Sequence, residues 1–250
     1  MSLWKQTAGQ GPDLVLLHGW AMNAGVWRSV LPALAEHYRV TVIELPGHGE
    51  SPLPDGAQNL DAWVEACLDA APSQALWLGW SLGGLIAQAA ALRAPERVQG
   101  LYLMAATPSF VQRDGWLAAM PESVFEQFSA ALISDIEMTL KRFLGLQVKG
   151  ADNARETLRI LGLALAERPM ASVEGLEAGL GLLLHVDLRE SLAGLAMQVH
   201  WLLGERDTLV PVAMADNLTM TLPDARISRV AGAAHAPFLS HPEIFLQWLS

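Results

Sequence analysis

Short apolar runs alternate with stretches of helical spacing along most of the chain. Apolar runs rich in branched residues are typical of buried strands, and apolar residues three and four apart are typical of helices. The pattern predicts strands at 13–17, 39–44, 75–79, 98–104, 199–203 and 226–230. It predicts helices at 25–36, about 60–70, 82–93, about 212–222 and at the C-terminus. This alternation indicates an α/β fold with a mostly parallel central sheet and helices on both faces, in which ligands bind at the carboxyl ends of the strands.

The alternation is interrupted from about residue 107 to residue 186. This stretch contains helical segments rich in Leu, Met and Phe, and no strand is predicted within it. An all-helical insertion between two strands of a sheet is expected to form a cap over the ligand-binding edge. We therefore predict a core of residues 1–106 and 187–250, and a helical cap, or lid, of residues 107–186 as one contiguous insertion.

The composition argues against a disordered, a nucleic-acid-binding and a membrane-spanning protein. Hydrophobic residues make up 52% of the chain and charged residues 17%, which predicts a large core and excludes a disordered protein. The net charge of -10 argues against a nucleic-acid partner. We expect neither a secretory leader nor a membrane helix, because residues 1–13 lack a charged leader pattern and no apolar run approaches the length of a membrane span. The single cysteine, Cys67, is predicted to pack inside a helix. We expect a cytoplasmic monomer without a membrane or nucleic-acid partner.

The stretch GWSLGG at residues 79–84 predicts a nucleophile elbow. Ser81 follows an apolar strand and is flanked by Gly79 and Gly83, which match the pattern G-x-S-x-G. A tight strand-to-helix corner leaves no room for side chains at these two glycines. The sequence therefore predicts that the Ser81 hydroxyl stands above the end of the sheet as a candidate nucleophile.

A serine nucleophile needs a base, and the base needs a group that orients it. The loop GERDTLVP after one later strand offers Asp207, with Glu205 as the weaker choice. The loop AGAAHAPF after the last strand offers His235, whose position distinguishes it from the other six histidines. Serine, acid and histidine thus follow in the order expected for a triad on this type of sheet.

An oxyanion hole is predicted beside Ser81. One donor is the backbone N–H of Leu82, at the start of the following helix. The second is the N–H of Trp20 in LLHGW, where the chain bends after the first buried strand. No spacing of His, Cys and carboxylates indicates a metal site, so we expect neither a metal nor an organic cofactor.

These motifs together resemble the α/β-hydrolase superfamily. The matching stretches are LLHGW, ELPGHGES, GWSLGG, GERDTLVP and GAAHAPFLSHP. One departure is Glu44, because the superfamily more often has Asp before its P-G-x-G-x-S turn; this bears on turn structure and not on catalysis. A serine at the elbow argues against the dehalogenases and epoxide hydrolases of the superfamily, whose nucleophile is aspartate.

A narrower resemblance is carried by HGWAMNAGVW, GWSLGG, AAHAPFLSHPE and the DLR at 187–189. These stretches are similar to the pimeloyl-acyl carrier protein methyl ester carboxylesterases of biotin synthesis. The resemblance implies a triad of Ser81, Asp207 and His235 with oxyanion donors at Trp20 and Leu82. It also implies that an acyl channel is lined by Phe128, Phe143, Leu144, Gly145, Leu146 and Gln147.

The cap carries local positive charge on a negative chain. Residues 141–159 contain the five basic side chains Lys141, Arg142, Lys149, Arg155 and Arg159 against Asp152 and Glu156. Arg155 and Arg159 are four residues apart and therefore share one helix face. Because acyl carrier proteins are strongly acidic, the resemblance implies that a carrier docks here; an ordinary solvated helix face is the alternative.

Other activities on the same scaffold stay open at this point. The first is a general carboxylesterase acting on small soluble esters or lactones. A C–C bond hydrolase or an acyltransferase would use the same triad. A ligand-binding receptor would use the pocket without turnover, although binding alone would not need the complete set of catalytic elements.

Overall fold

The computed structural model describes residues 2–249 and shows a twisted sheet with helices on both faces. Its strands are β1 (Lys5–Ala8), β2 (Asp13–Leu17), β3 (Arg39–Ile43), β4 (Ala75–Trp80), β5 (Val98–Met104), β6 (Val199–Gly204) and β7 (Arg226–Val230). Within the described chain they form a seven-stranded sheet in the order β1-β3-β2-β4-β5-β6-β7. Strand β1 pairs antiparallel with β3, and the other pairs are parallel. The predicted mostly parallel sheet is confirmed.

Strand β1 was not predicted from the sequence. It has four residues, KQTA, and its side chains are exposed or half-exposed. A short polar strand at the edge of a sheet lacks the apolar pattern of a buried strand, and polar edges help a sheet to avoid pairing with other chains. Its place in the sheet therefore depends on the pairing of Lys5 with Ile43 rather than on a local signal.

The helices are α1 (Leu31–Ala35), α2 (Leu60–Ala70), α3 (Leu82–Arg93), α4 (Glu122–Ser134), α5 (Ile136–Val148), α6 (Ala154–Ala166), α7 (Val173–His185), α8 (Met214–Thr221), α9 (Pro237–Ser240) and α10 (Pro242–Leu249). Helix α3 is buried over most of its length, because it is apolar on all sides and runs behind the centre of the sheet. No helix within residues 2–249 is both long and apolar enough to cross a lipid bilayer.

The prediction of one helix over residues 25–36 was wrong. The structure has a 3₁₀ turn at Ala24–Trp27, then a break, then α1 from Leu31. Pro32 explains the break: it has no N–H to donate, and its ring clashes with the carbonyl one turn earlier in a helix interior. In the first turn of α1 neither cost applies, so the helix restarts there.

Helices α4 to α7 lie between β5 and β6 in the chain, within the segment 107–186 for which a cap is predicted. Asp135 begins α5 by accepting a hydrogen bond from the Met138 N–H (3.0 Å), and Ser172 begins α7 by accepting one from the Gly175 N–H (3.0 Å). The Ser172 N–H donates to the Gly47 carbonyl (2.8 Å). The start of α7 is thereby fixed to the loop that follows β3, at the carboxyl edge of the sheet.

Candidate active site

Ser81 occupies the corner between β4 and α3. Its backbone has φ 55° and ψ -118°, a strained conformation for a residue with a side chain. A Cβ at Gly79 would collide with the Gly83 carbonyl, and a Cβ at Gly83 would collide with the Leu17 carbonyl. The predicted elbow is therefore present in the structure, and it needs both glycines because the turn brings α3 against the ends of β2 and β4.

Asp207 and His235 meet on the loops after β6 and β7. The His235 Nδ1 lies 2.7 Å from Asp207 Oδ2, and both side chains are buried. The other carboxylate oxygen, Oδ1, accepts hydrogen bonds from the N–H groups of Leu209 (2.8 Å) and Val210 (3.0 Å). Since a carboxylate only accepts, Nδ1 carries the proton and Nε2 holds the lone pair. Glu205, the weaker sequence candidate, is exposed.

The backbone of His235 is held from two sides. Its N–H donates to the Gln147 carbonyl at the end of α5 (3.0 Å), and its carbonyl accepts from the Trp80 indole N–H (2.7 Å). Trp80 directly precedes Ser81, so one side chain joins the loop of the base to the nucleophile elbow. The His235 Nε2 is buried and has no hydrogen-bond partner within the described chain. It is thus suited to receive a proton from a hydroxyl group.

The loop after β2 lies against the nucleophile. A Cβ at Gly19 would lie 3.3 Å from the Ser81 Cβ, which places the backbone beside Trp20 next to Ser81. Leu82 is the first residue of α3, where helix geometry provides no internal acceptor for its N–H. The arrangement suits an oxyanion hole built from the N–H groups of Trp20 and Leu82.

An apolar cavity of about 30 Å³ adjoins the Trp20 side chain. The Trp20 ring packs edge-on against Phe143 (4.8 Å between centroids), and Phe143 packs edge-on against Phe128 (6.1 Å). The cavity is lined by Trp20, Met120, Phe125, Phe128, Phe143, Leu180, Leu183 and Leu209. Of the predicted channel segment 143–147, only Phe143 lines this cavity. Leu144, Gly145 and Leu146 are half-buried, and Gln147 is buried.

The cap also contacts the loops that carry the acid and the base. Arg206, next to Asp207, donates to the Gly150 carbonyl (2.9 Å) and pairs with Asp152. The Asp152 N–H donates to the Gly232 carbonyl (3.0 Å), three residues before His235. These contacts, which the sequence did not predict, attach the turn between α5 and α6 to the loops that carry Asp207 and His235.

The predicted basic residues of the cap are exposed: Lys141, Arg142, Arg155 and Arg159. The guanidinium of Arg142 lies over the Phe128 ring (5.7 Å to the centroid). Arg159 pairs with Glu156 one turn earlier (2.7 and 3.0 Å), whereas no carboxylate of residues 2–249 pairs with Lys141 or Arg155.

A buried polar network, which the sequence did not predict, lies behind the loop that carries Trp20. Glu44 is buried and accepts hydrogen bonds from the N–H groups of Ala24 (3.2 Å) and Glu50 (2.8 Å) and from the Arg168 guanidinium (2.5 Å). His18 and His48 are also fully buried, with ring centroids 5.4 Å apart. Across the described residues, no three His, Cys, Asp or Glu side chains converge as a metal site would require.

Fold and site together define a serine hydrolase of the α/β type. The family model of the alpha/beta hydrolase fold matches residues 12–242. The chain therefore belongs to the alpha/beta hydrolase family.

Named relatives show which members of this family the chain is similar to. The chain is 44% identical, over 99% of its length and 97% of the relative's, to the pimeloyl-[acyl-carrier protein] methyl ester esterase of Aeromonas hydrophila. It is 44% identical, over 98% of its length and 96% of the relative's, to the protein of the same name from Pectobacterium carotovorum. Among solved structures, an esterase from Exiguobacterium antarcticum matches with a TM-score of 0.88 and 24% identity, over 99% of this chain and 93% of that one, which shows the shared fold.

Proposed function

We propose that this protein is a serine carboxylesterase of biotin synthesis that hydrolyses the methyl ester of pimeloyl-acyl carrier protein to pimeloyl-acyl carrier protein and methanol. The observation that carries the proposal is the buried Asp207–His235 pair, joined to the Ser81 elbow through the Trp80 indole. This site occurs in a chain 44% identical, over nearly its whole length, to esterases named for that substrate.

The geometry supports an acyl-enzyme mechanism. His235 Nε2 takes the proton of Ser81 as Oγ attacks the ester carbonyl, and Asp207 holds the Nδ1–H and stabilises the imidazolium. The N–H groups of Trp20 and Leu82 bind the oxyanion of the tetrahedral intermediate. The intermediate collapses by breaking the bond to the methoxy oxygen, which leaves as methanol with the proton from His235. Water, deprotonated by His235, then releases the acid from Ser81.

The chemistry of this substrate determines where the carrier must lie. The methyl ester is at the far end of the pimeloyl chain, because the near end is bound to the carrier as a thioester. In the acyl-enzyme, the pimeloyl chain therefore joins Ser81 to the carrier. The apolar cavity suits the methylenes of this chain, but its volume of about 30 Å³ holds about one water molecule. Phe143 or the cap must move for the chain to enter.

The exposed basic residues of the cap support carrier docking at α5 and α6. Lys141 and Arg155 make no ion pair within the described chain, so their charges are available to an acidic partner. The Arg159–Glu156 pair is solvent-exposed and is worth little, so a carrier carboxylate can replace Glu156 at small cost. Opposite charges of this kind raise the rate of encounter and select acidic partners.

The test compares Arg155→Glu with Arg226→Glu. Both residues are exposed and both changes alter the net charge equally, but Arg226 begins β7 at the edge of the sheet opposite the site. We expect Arg155→Glu to raise KM for the carrier-bound ester about tenfold, equal to about 1.4 kcal/mol. Neither change should affect turnover of a free methyl ester.

The dependence of kcat/KM on ionic strength tests carrier docking independently of the two variants. For the wild type, kcat/KM with the carrier-bound ester should fall as ionic strength rises, whereas kcat/KM with the free ester should stay constant. Turnover of the free ester with the carrier substrate ignored would instead establish a general carboxylesterase.

A further inference from the structure

His48 is a buried loop residue whose ring hydrogen bonds assign its tautomer. Its Nδ1 lies 2.9 Å from the Pro46 carbonyl, and its Nε2 lies 3.1 Å from the backbone nitrogen of Ala21. A carbonyl oxygen only accepts, so Nδ1 carries the proton; an N–H only donates, so Nε2 is the acceptor. His48 is therefore a neutral imidazole that holds the Ala21 N–H.

Ala21 lies in the turn that contains the proposed oxyanion donor. The Met22 N–H donates to the Gly19 carbonyl (3.2 Å), which closes a four-residue turn with Trp20 and Ala21 at its centre. Ala21 has φ 60°, the left-handed region that the third residue of a type II turn requires and that glycine usually supplies. For alanine this conformation costs about 1–2 kcal/mol, so it persists only where neighbouring groups hold it.

His18 holds the other side of the same turn. Its Nδ1–H donates to the Gly19 carbonyl (2.8 Å), and its Nε2 accepts from the Leu45 N–H (3.0 Å). The two imidazoles therefore connect the turn at 19–22 to the loop after β3. Since a Cβ at Gly19 would lie 3.3 Å from the Ser81 Cβ, a shift of this turn changes the distance from the Trp20 N–H to the reacting carbonyl.

We propose that His48 is a positioning residue for the oxyanion hole: its Nε2 holds the Ala21 N–H and thereby keeps the strained turn that aims the Trp20 N–H at the substrate oxyanion. The inference rests on the role of Trp20 in the proposed function. His48 does not touch substrate and takes no proton from it.

The surroundings of His48 keep it neutral. Burial lowers its pKa to about 4, with the Pro46 carbonyl and the Glu44 carboxylate opposing that shift. Burial and the neighbouring His48 lower the pKa of His18 to about 3. Trp63 packs on the remaining side of His48, with ring centroids 6.0 Å apart. The acceptor lone pair on Nε2 is thus retained across the neutral pH range.

The substitutions His48→Gln and His48→Asn distinguish the contact of the ring with Ala21 from its contact with Pro46. In His48→Gln the amide reaches the position of Nε2 and can accept from the Ala21 N–H. In His48→Asn the amide reaches only the position of Nδ1 and keeps the contact with the Pro46 carbonyl. The substrate is p-nitrophenyl butyrate, a free ester, so the outcome does not depend on the carrier.

We expect His48→Asn to lower kcat at least about tenfold with KM changed less than about threefold, because displacement of one oxyanion donor costs up to about 100- to 1,000-fold. Inhibition by butylboronic acid, which forms a tetrahedral adduct on a serine, should weaken by the same factor. His48→Gln should stay within about threefold of wild type in both measurements. Equal losses in the two variants, or no loss in His48→Asn, would overturn the proposal.

A spectroscopic measurement on the wild type does not require either variant to fold. With ¹⁵N-labelled histidine, His48 should show a protonated Nδ1 and a bare Nε2 at neutral pH. A protonated Nε2 would overturn the proposal. If the wild type shows no Ser81-dependent ester hydrolysis, the proposed function fails, and the nitrogen spectrum still decides whether His48 holds Ala21.

Discussion

At the level of single residues, the two carboxylate oxygens of Asp207 make different hydrogen bonds. Oδ1 accepts the N–H groups of Leu209 and Val210, which fixes the orientation of the carboxylate, and Oδ2 holds the Nδ1–H of His235. The orientation of the carboxylate thus selects the tautomer that leaves Nε2 free to act as a base. In the proposed mechanism, Asp207 therefore acts through this selection as well as through its negative charge.

Asp207→Asn tests the tautomer directly. Its amide oxygen can keep the two backbone bonds, which turns the NH₂ group toward His235 Nδ1 and favours the tautomer with a proton on Nε2. We expect kcat for ester hydrolysis to fall about 10⁴-fold with little change in KM. Glu205→Gln, an exposed neighbour, is the control and should retain full activity. A loss below about tenfold in Asp207→Asn would contradict this role.

The sequence revealed the candidate triad but not the residues that support the oxyanion loop. Ser81, Asp207 and His235 each follow an apolar strand run, and parallel strands bring such positions to one edge of the sheet. His48 lies in the turn-rich stretch that begins at Leu45, whose composition resembles a solvated loop, and Glu44 ends the predicted strand just before it. Their burial depends on contacts with Ala21 and Arg168, which are distant in the chain and leave no local signal.

At the scale of elements, the cap is attached to the core through a buried ion pair as well as through backbone contacts. Arg168 follows α6, and its guanidinium lies 2.5 Å from Glu44 and stacks on the Trp4 ring (3.7 Å to the centroid). Glu44 has no exposed side-chain surface. Removing Arg168 would leave a buried carboxylate without its cation, which is a costly defect.

Arg168→Ala should lower the free energy of unfolding by about 2–4 kcal/mol, because the Glu44 carboxylate keeps its two backbone donors but loses its counter-charge. Arg28→Ala is the matched control: Arg28 pairs with Glu167, the neighbour of Arg168, but its own side chain is 75% exposed. That change should cost less than about 1 kcal/mol. Urea unfolding measures both, and equal losses would show that the Glu44 pair contributes no more than a surface pair.

The unpredicted strand β1 and the wrongly predicted helix at 25–36 have the same kind of physical cause. Strand β1 is short and polar, and it is held by pairing with β3, which lies more than thirty residues away along the chain. The helix predicted at 25–36 had the right periodicity, but Pro32 can only occupy a first turn. The spacing of apolar residues indicates which face of an element is buried. It does not indicate which strand pairs with which, as for β1 and β3. It also does not detect that Pro32 has no N–H to donate.

At the scale of the whole molecule, the buried imidazoles make stability depend on pH. In the unfolded chain His18 and His48 bind protons below their ordinary pKa near 6.5, whereas in the folded protein burial lowers their pKa to about 3 and about 4. The unfolded state therefore holds more protons between these values. The contribution of these two imidazoles to stability is complete above about pH 6.5 and is lost as the pH falls toward about 4 for His48 and about 3 for His18.

Each histidine should contribute a slope approaching about 1.4 kcal/mol per pH unit below its unfolded pKa. Urea unfolding at several values between about pH 7 and pH 5 measures the slope, in a range above most carboxylate titration. His48→Gln removes one of the two groups and should give a shallower slope than the wild type. Equal slopes for the two proteins would contradict the burial of a neutral His48.

In the proposed function, Ser81 cleaves a methyl ester at the far end of a carrier-bound chain. The most direct measurement combines methanol release from pimeloyl-acyl carrier protein methyl ester with the intact mass of the carrier, for wild type and Ser81→Ala. We expect one methanol per carrier with wild type, a carrier that is lighter by the mass of one CH₂ group but keeps its acyl chain, and no release with Ser81→Ala. Methanol release by Ser81→Ala, or a carrier stripped of the whole chain through its thioester, would contradict it.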